Sequence, residues 1–176
     1  VEAVRARQAE TTDRARLESL LAPGAKVEVP ATARLDLAVP GLALFELTGG
    51  TRMTLPTAFG RWFSRDPEGR LHEGEVRIAS GPEFEGREMT LRTPEGTVVV
   101  TGTLLSVQCG EGSTCVCVIE GTVRVGTDEG DLEAIPPGKR KVMERSGETV
   151  VSPVAPPHRD GVLDFARRTA GRFPRR

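Results

Sequence analysis

The stretch Leu71-His-Glu-Gly-Glu-Val-Arg-Ile78 recurs in altered form as Val118-Ile-Glu-Gly-Thr-Val-Arg-Val125. The pairs Glu73-Gly74 and Glu120-Gly121 lie 47 residues apart, and each opens a run in which apolar and polar residues alternate. Alternation with a period of two predicts β-strands, and glycine at such a point supplies a positive-φ turn or bulge that redirects the strand. The repeat therefore predicts that the chain builds one β unit twice and stacks the copies around a shared core.

The alternation is not confined to the repeat but continues from Gly24 to Val150. Clear alternating runs occupy residues 26–29, 33–37, 75–78, 97–100, 104–107, 115–119 and 122–125. Turn signals rich in glycine and proline separate the runs at intervals of roughly 8–12 residues. The sequence therefore predicts an all-β fold of about ten short strands with an internal repeat, arranged as a sandwich, barrel or short solenoid and not as βαβ units.

Composition sets bounds on the core and on the partners. The chain has 176 residues, of which 38% are apolar, and its one Trp, six Phe and no Tyr require a largely aliphatic core. A net charge of −1 gives no general attraction for nucleic acid or anionic lipid. No run of about twenty apolar residues is present, so the sequence itself holds no membrane span. Because it begins at Val1 and not at Met, we expect that an upstream export signal or anchoring helix is missing from it.

Residues 1–23 are the one long helical candidate, a lead-in to the β region. Val4, Ala9 and Leu17 keep approximate helical spacing with charged residues between them, and Pro23-Gly24 ends the pattern. We interpret the segment as a solvated helix that packs one edge on the sheet. The alternative is a stalk that leads from a membrane anchor.

The alternation fails after Val150, and residues 151–176 have a different composition. Ser152-Pro-Val-Ala-Pro-Pro157 is typical of a stiff extended linker, and Gly161 to Ala170 can form a short helix. Between Arg159 and Arg176 six Arg stand against two Asp. We interpret this end as a loosely ordered, solvated basic tail, and contact with phosphate or an acidic partner is the alternative.

Two segments carry a family resemblance. In Leu91-Arg-Thr-Pro-Glu-Gly-Thr-Val-Val-Val-Thr-Gly-Thr-Leu-Leu-Ser-Val107 a strand is followed by Gly102-Thr103 and then by apolar residues at alternate positions. Residues 114–125 continue with alternate valines around Glu120-Gly121. In their order and spacing these segments resemble the FecR-type domain, and the resemblance covers about residues 24–150.

The resemblance implies a bacterial envelope domain of regulatory type and not an enzyme. FecR-like proteins commonly lie in the periplasm, tethered to the inner membrane by a preceding helix. The best known pass a signal from an outer-membrane receptor to a cytoplasmic sigma factor. The implied function is thus a non-catalytic sensor or signal-transduction domain that acts by contact with an envelope receptor or regulator. The sequence departs from the full pattern, since it shows no spanning segment, no sigma-binding region and no recognisable second domain after Val150.

All three cysteines fall in one predicted hairpin, Gln108-Cys109-Gly-Glu-Gly-Ser-Thr-Cys115-Val-Cys117. Cys109 and Cys115 are placed to flank the neck of the turn, where cross-strand Cβ atoms approach to about 4.5–5.5 Å, so a disulfide between them is one hypothesis. The other is that all three are small apolar residues of a strand. A zinc or haem site made by the three thiolates would need a fourth ligand, and neither His72 nor His158 lies at a standard spacing from them.

Motifs for catalysis are not found. The turn from Gly130 to Gly138 is similar to that of metal-binding cupin barrels, but Lys141 occupies the place of the ligand His and the chain has only two His. No Gly-x-Ser-x-Gly motif, phosphate loop or dinucleotide fingerprint is present. Glu83 and Glu85 lie in a loop rich in Gly and Pro and are interpreted as solvated charges, not as a hydrolytic pair. We therefore expect no enzyme activity, no cofactor and no metal.

The remaining candidate is Phe59-Gly-Arg-Trp-Phe-Ser-Arg65, in a loop-like stretch between two prolines. It combines three aromatic residues with two basic ones, namely Phe59, Trp62 and Phe63 with Arg61 and Arg65. One interpretation is an aromatic plug that closes the end of the β core. The other is an exposed binding patch, because Trp and Arg are frequent at interface hot spots. If the domain binds a protein partner, we expect contact here first.

Two other functions remain as alternatives to the signalling domain. The first is an envelope structural or glycan-binding module without signalling output, and the second is a carboxylate-pair hydrolase.

Overall fold

The computed structural model describes residues 2–3, 21–57 and 67–171, and about half of these residues lie in strands. The strands are β1 (Glu2–Ala3), β2 (Lys26–Glu28), β3 (Leu35–Val39), β4 (Ala43–Leu47), β5 (Arg52–Thr54), β6 (Glu68–Ser80), β7 (Met89–Arg92), β8 (Thr97–Val100), β9 (Leu104–Gly110), β10 (Ser113–Glu120), β11 (Val123–Gly126), β12 (Glu133–Ile135), β13 (Lys139–Glu144) and β14 (Thr149–Pro153). A 3₁₀ turn covers Pro82–Phe84, and the one α-helix in these ranges, α1, covers Pro156–Thr169. The predicted all-β class is confirmed.

The strands form a single curled sheet with two halves that share β6. The first half has the order β1-β3-β4-β6-β9-β10-β13-β14, and the second has the order β12-β11-β8-β7-β6-β5-β2. We call them the A half and the B half. Neighbouring strands pair antiparallel except β6 and β7, which pair in parallel from Glu68↔Thr90 to Arg70↔Arg92. The curl folds the two halves toward each other as a half-barrel.

The repeated Glu-Gly pair marks the places where the chain crosses between the halves. β6 pairs with β5 up to Glu73 and with β9 from Gly74, and β10 in the A half leads through Gly121 into β11 in the B half. Gly74 and Gly121 have φ of 89° and 76°, values that only glycine adopts readily. The predicted positive-φ glycines are confirmed, but the two octets cross in opposite directions and are thus not stacked copies.

The core lies between the facing surfaces of the two halves and is mainly aliphatic, as predicted. Leu71, Leu91 and Val123 from the B half are buried with Val76 and Val116 from the A half in one continuous cluster. At about 25 cal/mol per Å² of buried apolar surface, this cluster is the main stabilising contribution to the sheet. The opposite surface of the A half, which we call the outer face, carries the candidate site.

Helix α1 packs on the outer face of the A half through a second, smaller cluster. Val162 and Phe165 are buried against Leu44 of β4 and Leu104 of β9. Residues 149–153 are a strand, so the linker predicted for residues 152–157 begins only after Pro153. The short helix predicted for residues 161–170 is present and begins earlier, at Pro156, but it packs on the sheet and is not part of a loose tail. The apolar side of α1 was too short to predict docking from the sequence.

The predicted N-terminal helix lies mostly outside the described residues. Of residues 1–23, only 2–3 and 21–23 are described, and Glu2–Ala3 form a strand paired with Leu37 and Ala38 of β3 instead of a helical turn. The helix predicted for these two residues is therefore wrong. The helices in the described part of the chain are too short or too polar to cross a membrane.

Candidate functional site

The aromatic segment that the sequence singled out cannot be placed. Phe59, Arg61, Trp62, Phe63 and Arg65 all lie outside the described residues. Their role as plug or binding patch therefore stays a prediction.

The cysteine hairpin is described, and it does not bring Cys109 and Cys115 together. Glu111 and Gly112 form a two-residue turn with φ of 53° and 79°, which is the type I′ geometry of tight hairpins. This turn pairs Cys109 with Thr114 and places Cys115 opposite Gln108, on the other face of the sheet. The predicted disulfide is wrong, because the short turn shifts the register by one residue, and all three cysteines are free.

The register of seven strands lines up a polar row across the outer face. The row runs Asp36 (β3), Glu46 (β4), Arg77 (β6), Ser106 (β9), Cys117 (β10), Arg140 (β13) and Ser152 (β14), each residue paired with the next. In a sheet with one buried face such positions normally face water. Here Asp36, Glu46, Ser106 and Cys117 are buried, so part of this second face is covered as well.

A charged cluster occupies one end of the row, centred on Glu46, whose side chain is 0% exposed. Its Oε1 accepts a hydrogen bond from Arg77 Nη1 at 2.7 Å, and its Oε2 accepts one from Arg168 Nη2 at 2.5 Å. Arg34 approaches Oε2 at 3.4 Å. Burial of a carboxylate is costly without partners, and here several arginines compensate it.

Each arginine of this charged cluster also has a second carboxylate. Arg77 donates to Glu75 at 2.9 Å, and Arg168 donates to Asp164 at 2.8 Å one helical turn earlier. Burial lowers the pKa of Arg77, but the hydrogen bonds that it donates to Glu75 and Glu46, together with the negative charges of both, raise this pKa above its ordinary value. Since Arg168 belongs to α1 and Glu46 to β4, the cluster fastens the helix to the sheet.

The other end of the row is an open sheet edge. β14 pairs with β13 on one side, and no strand pairs with its other side among the described residues. Val150 and Val151 are the exposed large apolar residues of the described ranges, at 48% and 45%. Arg140 Nε donates to Ser152 Oγ at 3.0 Å and ties β14 to the row. An exposed edge with consecutive apolar side chains is a template for strand pairing.

The remaining sequence candidates do not assemble into a reactive site. His72 is exposed and its Nε2 lies 2.9 Å from Thr54 Oγ1, while slight burial and then Arg70 lower its pKa. Lys141 is buried and donates to the carbonyl oxygen of Val125 and to Glu133, so the cupin-like turn is structural. In residues 21–57 and 67–171 no group of His, Cys, Asp or Glu side chains is arranged to hold a metal ion.

Comparison with known proteins agrees with this architecture. The model of the family described as FecR protein matches residues 7–124. Two crystal structures, at 1.65 Å and 2.50 Å, of a candidate anti-sigma factor from Parabacteroides distasonis superpose on this chain with a TM-score of 0.60 and 22% sequence identity. Each match covers 73% of this chain and 59% of that protein, so this chain spans less than two thirds of its neighbour's length. No curated protein matches.

The single curled sheet with one helix packed on its outer face defines the class of the fold in the described residues as all-β. The family match covers more than half of the chain. The chain therefore belongs to the FecR protein family, and the resemblance drawn from its strands is confirmed.

Proposed function

We propose that this chain is a non-catalytic signalling domain of the bacterial envelope, the periplasmic part of a membrane-anchored FecR-type regulator, and that it works by protein–protein contact. Membership of the FecR family supports a regulatory role. The likeness to a candidate anti-sigma factor agrees with that role. The single observation that carries the contact is the open edge of β14.

The backbone of β14 has groups available for a partner strand. At one end Val154 N–H donates to the carbonyl of Gly138, and at the other Glu144 N–H donates to the carbonyl of Glu148. Antiparallel ladders alternate between hydrogen-bonded and non-hydrogen-bonded pairs, so Thr149 and Val151 turn their backbone groups away from β13. These two residues offer donors and acceptors to an added strand.

The side chains of the edge supply the apolar contact. Val150 lies on the outer face beside Val142, and Val151 lies on the opposite face beside Lys141. An extended segment that added to β14 would cover both valines, one on each face, while its backbone paired with Thr149 and Val151. Pro153 has no N–H, so the pairing would end there. The occupant we propose is an extended segment of an envelope receptor or regulator with small apolar side chains.

The edge is presented on a rigid platform. Its two ends are fixed by the hydrogen bonds to Gly138 and from Glu144, and α1 starts three residues after β14 ends. Pre-organisation of this kind lowers the ordering cost that a partner must offset. The edge needs no rearrangement before contact.

Photo-crosslinking in cells of the source organism tests the proposal. A photoreactive residue at position 151 is expected to capture one envelope protein, and the same residue at exposed Arg87 is expected to capture none. Val151→Pro removes an outward N–H without breaking the ladder to β13 and should abolish capture and alter sigma-dependent transcription. Val151→Thr, which keeps the N–H, is the matched control and should retain both. Full activity of a folded Val151→Pro protein would exclude the edge.

The remaining parts of the proposal have separate tests. The Trp62 segment is proposed as a second contact, and Trp62→Ala would then weaken capture at an unchanged unfolding midpoint. A loss of folding in that variant would assign Trp62 to the core. Reading the residues encoded before Val1 tests the anchor: an apolar run of about twenty supports it, and a cleavable signal peptide alone would make this a free envelope module.

A further inference from the structure

Cys115 and Cys117 lie side by side on the outer face, and the contact proposed at β14 does not involve them. Their Sγ atoms are 3.7 Å apart. Residues i and i+2 of a strand point to the same side, and the register confirms it, since Cys115 faces Gln108 and Cys117 faces Ser106. The adjacent Val116 points into the core. The two thiols therefore form a pair within one strand.

The two thiols differ in access and in charge environment. Cys115 is half-buried, whereas Cys117 is 0% exposed. Arg140 of β13 stands directly opposite Cys117. The hydrogen bond from Cys117 and the positive charge of Arg140 lower the pKa of Cys115, while the neighbouring Cys115 sulfur and burial raise the pKa of Cys117. This difference favours Cys115 as the sulfur that reacts first and Cys117 as the sulfur that attacks it in the second step.

We propose that Cys115 and Cys117 form a thiol-oxidation site in which Cys115 is the attacking sulfur and Cys117 the resolving sulfur. The substrate class is a disulfide, either of a small thiol or of a protein. Cys115 thiolate attacks one sulfur of that disulfide, forms a mixed disulfide and releases one thiolate. Cys117 Sγ then attacks Cys115 Sγ, and its proton passes to the second thiolate of the oxidant as that thiolate leaves. The protein dithiol loses two electrons, and the oxidant is reduced to two thiols.

The strand geometry allows the bridge and keeps it reversible. Two residues of strand span about 6.6 Å between Cα atoms, close to the upper limit of about 6.8 Å for a disulfide. The sulfurs must also close from 3.7 Å to a bond of about 2.0 Å, so β10 has to pucker. The register shift between Val118 and Glu120 directly after the pair is a local irregularity where β10 can adjust. A bridge formed at this limit is easily reduced again.

Cys109 provides a matched control in the same hairpin. It points to the core, its Sγ lies 3.4 Å from Thr114 Oγ1, and burial raises its pKa to about 12. Its thiolate is scarce at neutral pH, and the other two cysteines lie on the opposite face of the sheet. Reaction at Cys109 before Cys115 would therefore contradict the proposed order.

Oxidised glutathione added to the whole folded chain is the test, read by intact mass and peptide mapping. The wild type should lose two hydrogen atoms without a lasting adduct, and dithiothreitol should restore it. Cys117→Ser should accumulate glutathione on Cys115, Cys115→Ser should stay unmodified, and Cys109→Ala should behave as the wild type.

A second measurement does not depend on how the variants fold. Native alkylation of the wild type by iodoacetamide should modify Cys115 about tenfold or more faster than Cys109. A lasting glutathione adduct on the wild type, first reaction at Cys109, or equal alkylation rates of Cys115 and Cys109 would overturn the site.

Discussion

Replacement of Arg77 by Met and, separately, of Glu46 by Gln tests the charge balance of the cluster beneath α1. The charged cluster contains four arginines and four acids, namely Arg34, Arg77, Arg167 and Arg168 with Asp36, Glu46, Glu75 and Asp164. Its formal charge is therefore zero. Glu46→Gln leaves one extra positive charge, which the exposed Arg34 and Arg167 can keep in contact with water. Arg77→Met leaves one extra negative charge around carboxylates of which Glu46 is 0% and Glu75 14% exposed.

The two substitutions should differ in cost for this reason. After Glu46→Gln, Arg77 keeps Glu75 and Arg168 keeps Asp164, so the loss is that of charge-assisted hydrogen bonds, about 1–3 kcal/mol. After Arg77→Met, Glu46 keeps only its Arg34 and Arg168 partners, and Glu75 loses Arg77. Removal of one partner of a buried ion pair lowers the free energy of unfolding by about 3–5 kcal/mol. The expected difference is about 2 kcal/mol, with the arginine variant the less stable.

Urea unfolding followed by circular dichroism measures both free energies. With an m-value of about 2 kcal/mol/M, the midpoint should fall by about 1.5–2.5 M for Arg77→Met and by about 0.5–1.5 M for Glu46→Gln. Arg52→Met, which removes an exposed pair with Glu73, is the control and should cost at most about 1 kcal/mol. A Glu46 variant as unstable as the Arg77 variant would refute the reasoning, because the second carboxylates would then contribute nothing.

Three further outcomes are expected. Phe165→Ala should cost about 3–5 kcal/mol and, by hydrogen exchange, should expose α1 before the sheet, because its cluster is separate from the main core. Gly74→Ala should cost about 3 kcal/mol or more by urea unfolding, since its Cβ would lie 2.5 Å from Thr51 Cα, whereas Gly86→Ala, at positive φ in open space, should cost about 1–2 kcal/mol. The pKa of His72 is lowered in the fold, so the unfolded chain binds a proton there first as pH falls below about 6.5, and the free energy of unfolding declines. His72→Gln should remove this part of the decline when urea unfolding is measured over a series of pH values.

Seven of the strands were predictable because each of them carries its own alternating run, namely β2, β3, β6, β8, β9, β10 and β11. Period-two alternation placed β8 and β9 within a few residues of their observed bounds, and the Glu-Gly pairs located both crossings between the halves. The direction of each crossing was not predictable, because Gly74 and Gly121 both have positive φ although the strand at Gly74 passes from the B half to the A half and the strand at Gly121 passes back. Direction depends on which strands pair, and pairing is a property of distant residues.

The burial of the polar row was also not predictable from the sequence. A glutamate between Phe45 and Leu47 is typical of a strand position that faces water, and no sequence signal marks Glu46 as buried. Its burial follows from α1, which begins more than a hundred residues later and brings Arg168 to the outer face.

The faces on which Cys109 and Cys115 lie also depend on a feature that the sequence did not reveal, namely the register of β9 against β10. One residue of turn length separates the predicted Cys109–Cys115 pair from the arrangement observed, in which Cys109 lies on the core face and Cys115 on the outer face. Fold class is thus encoded locally, but the chemistry of the outer face depends on the register of β10 against β9 and on the docking of α1. A one-residue change in the length of the Glu111-Gly112 turn would therefore disturb the fold and the thiol pair together, because a slip of β10 against β9 would turn Val116 and Val118 out of the core and the two thiols inward.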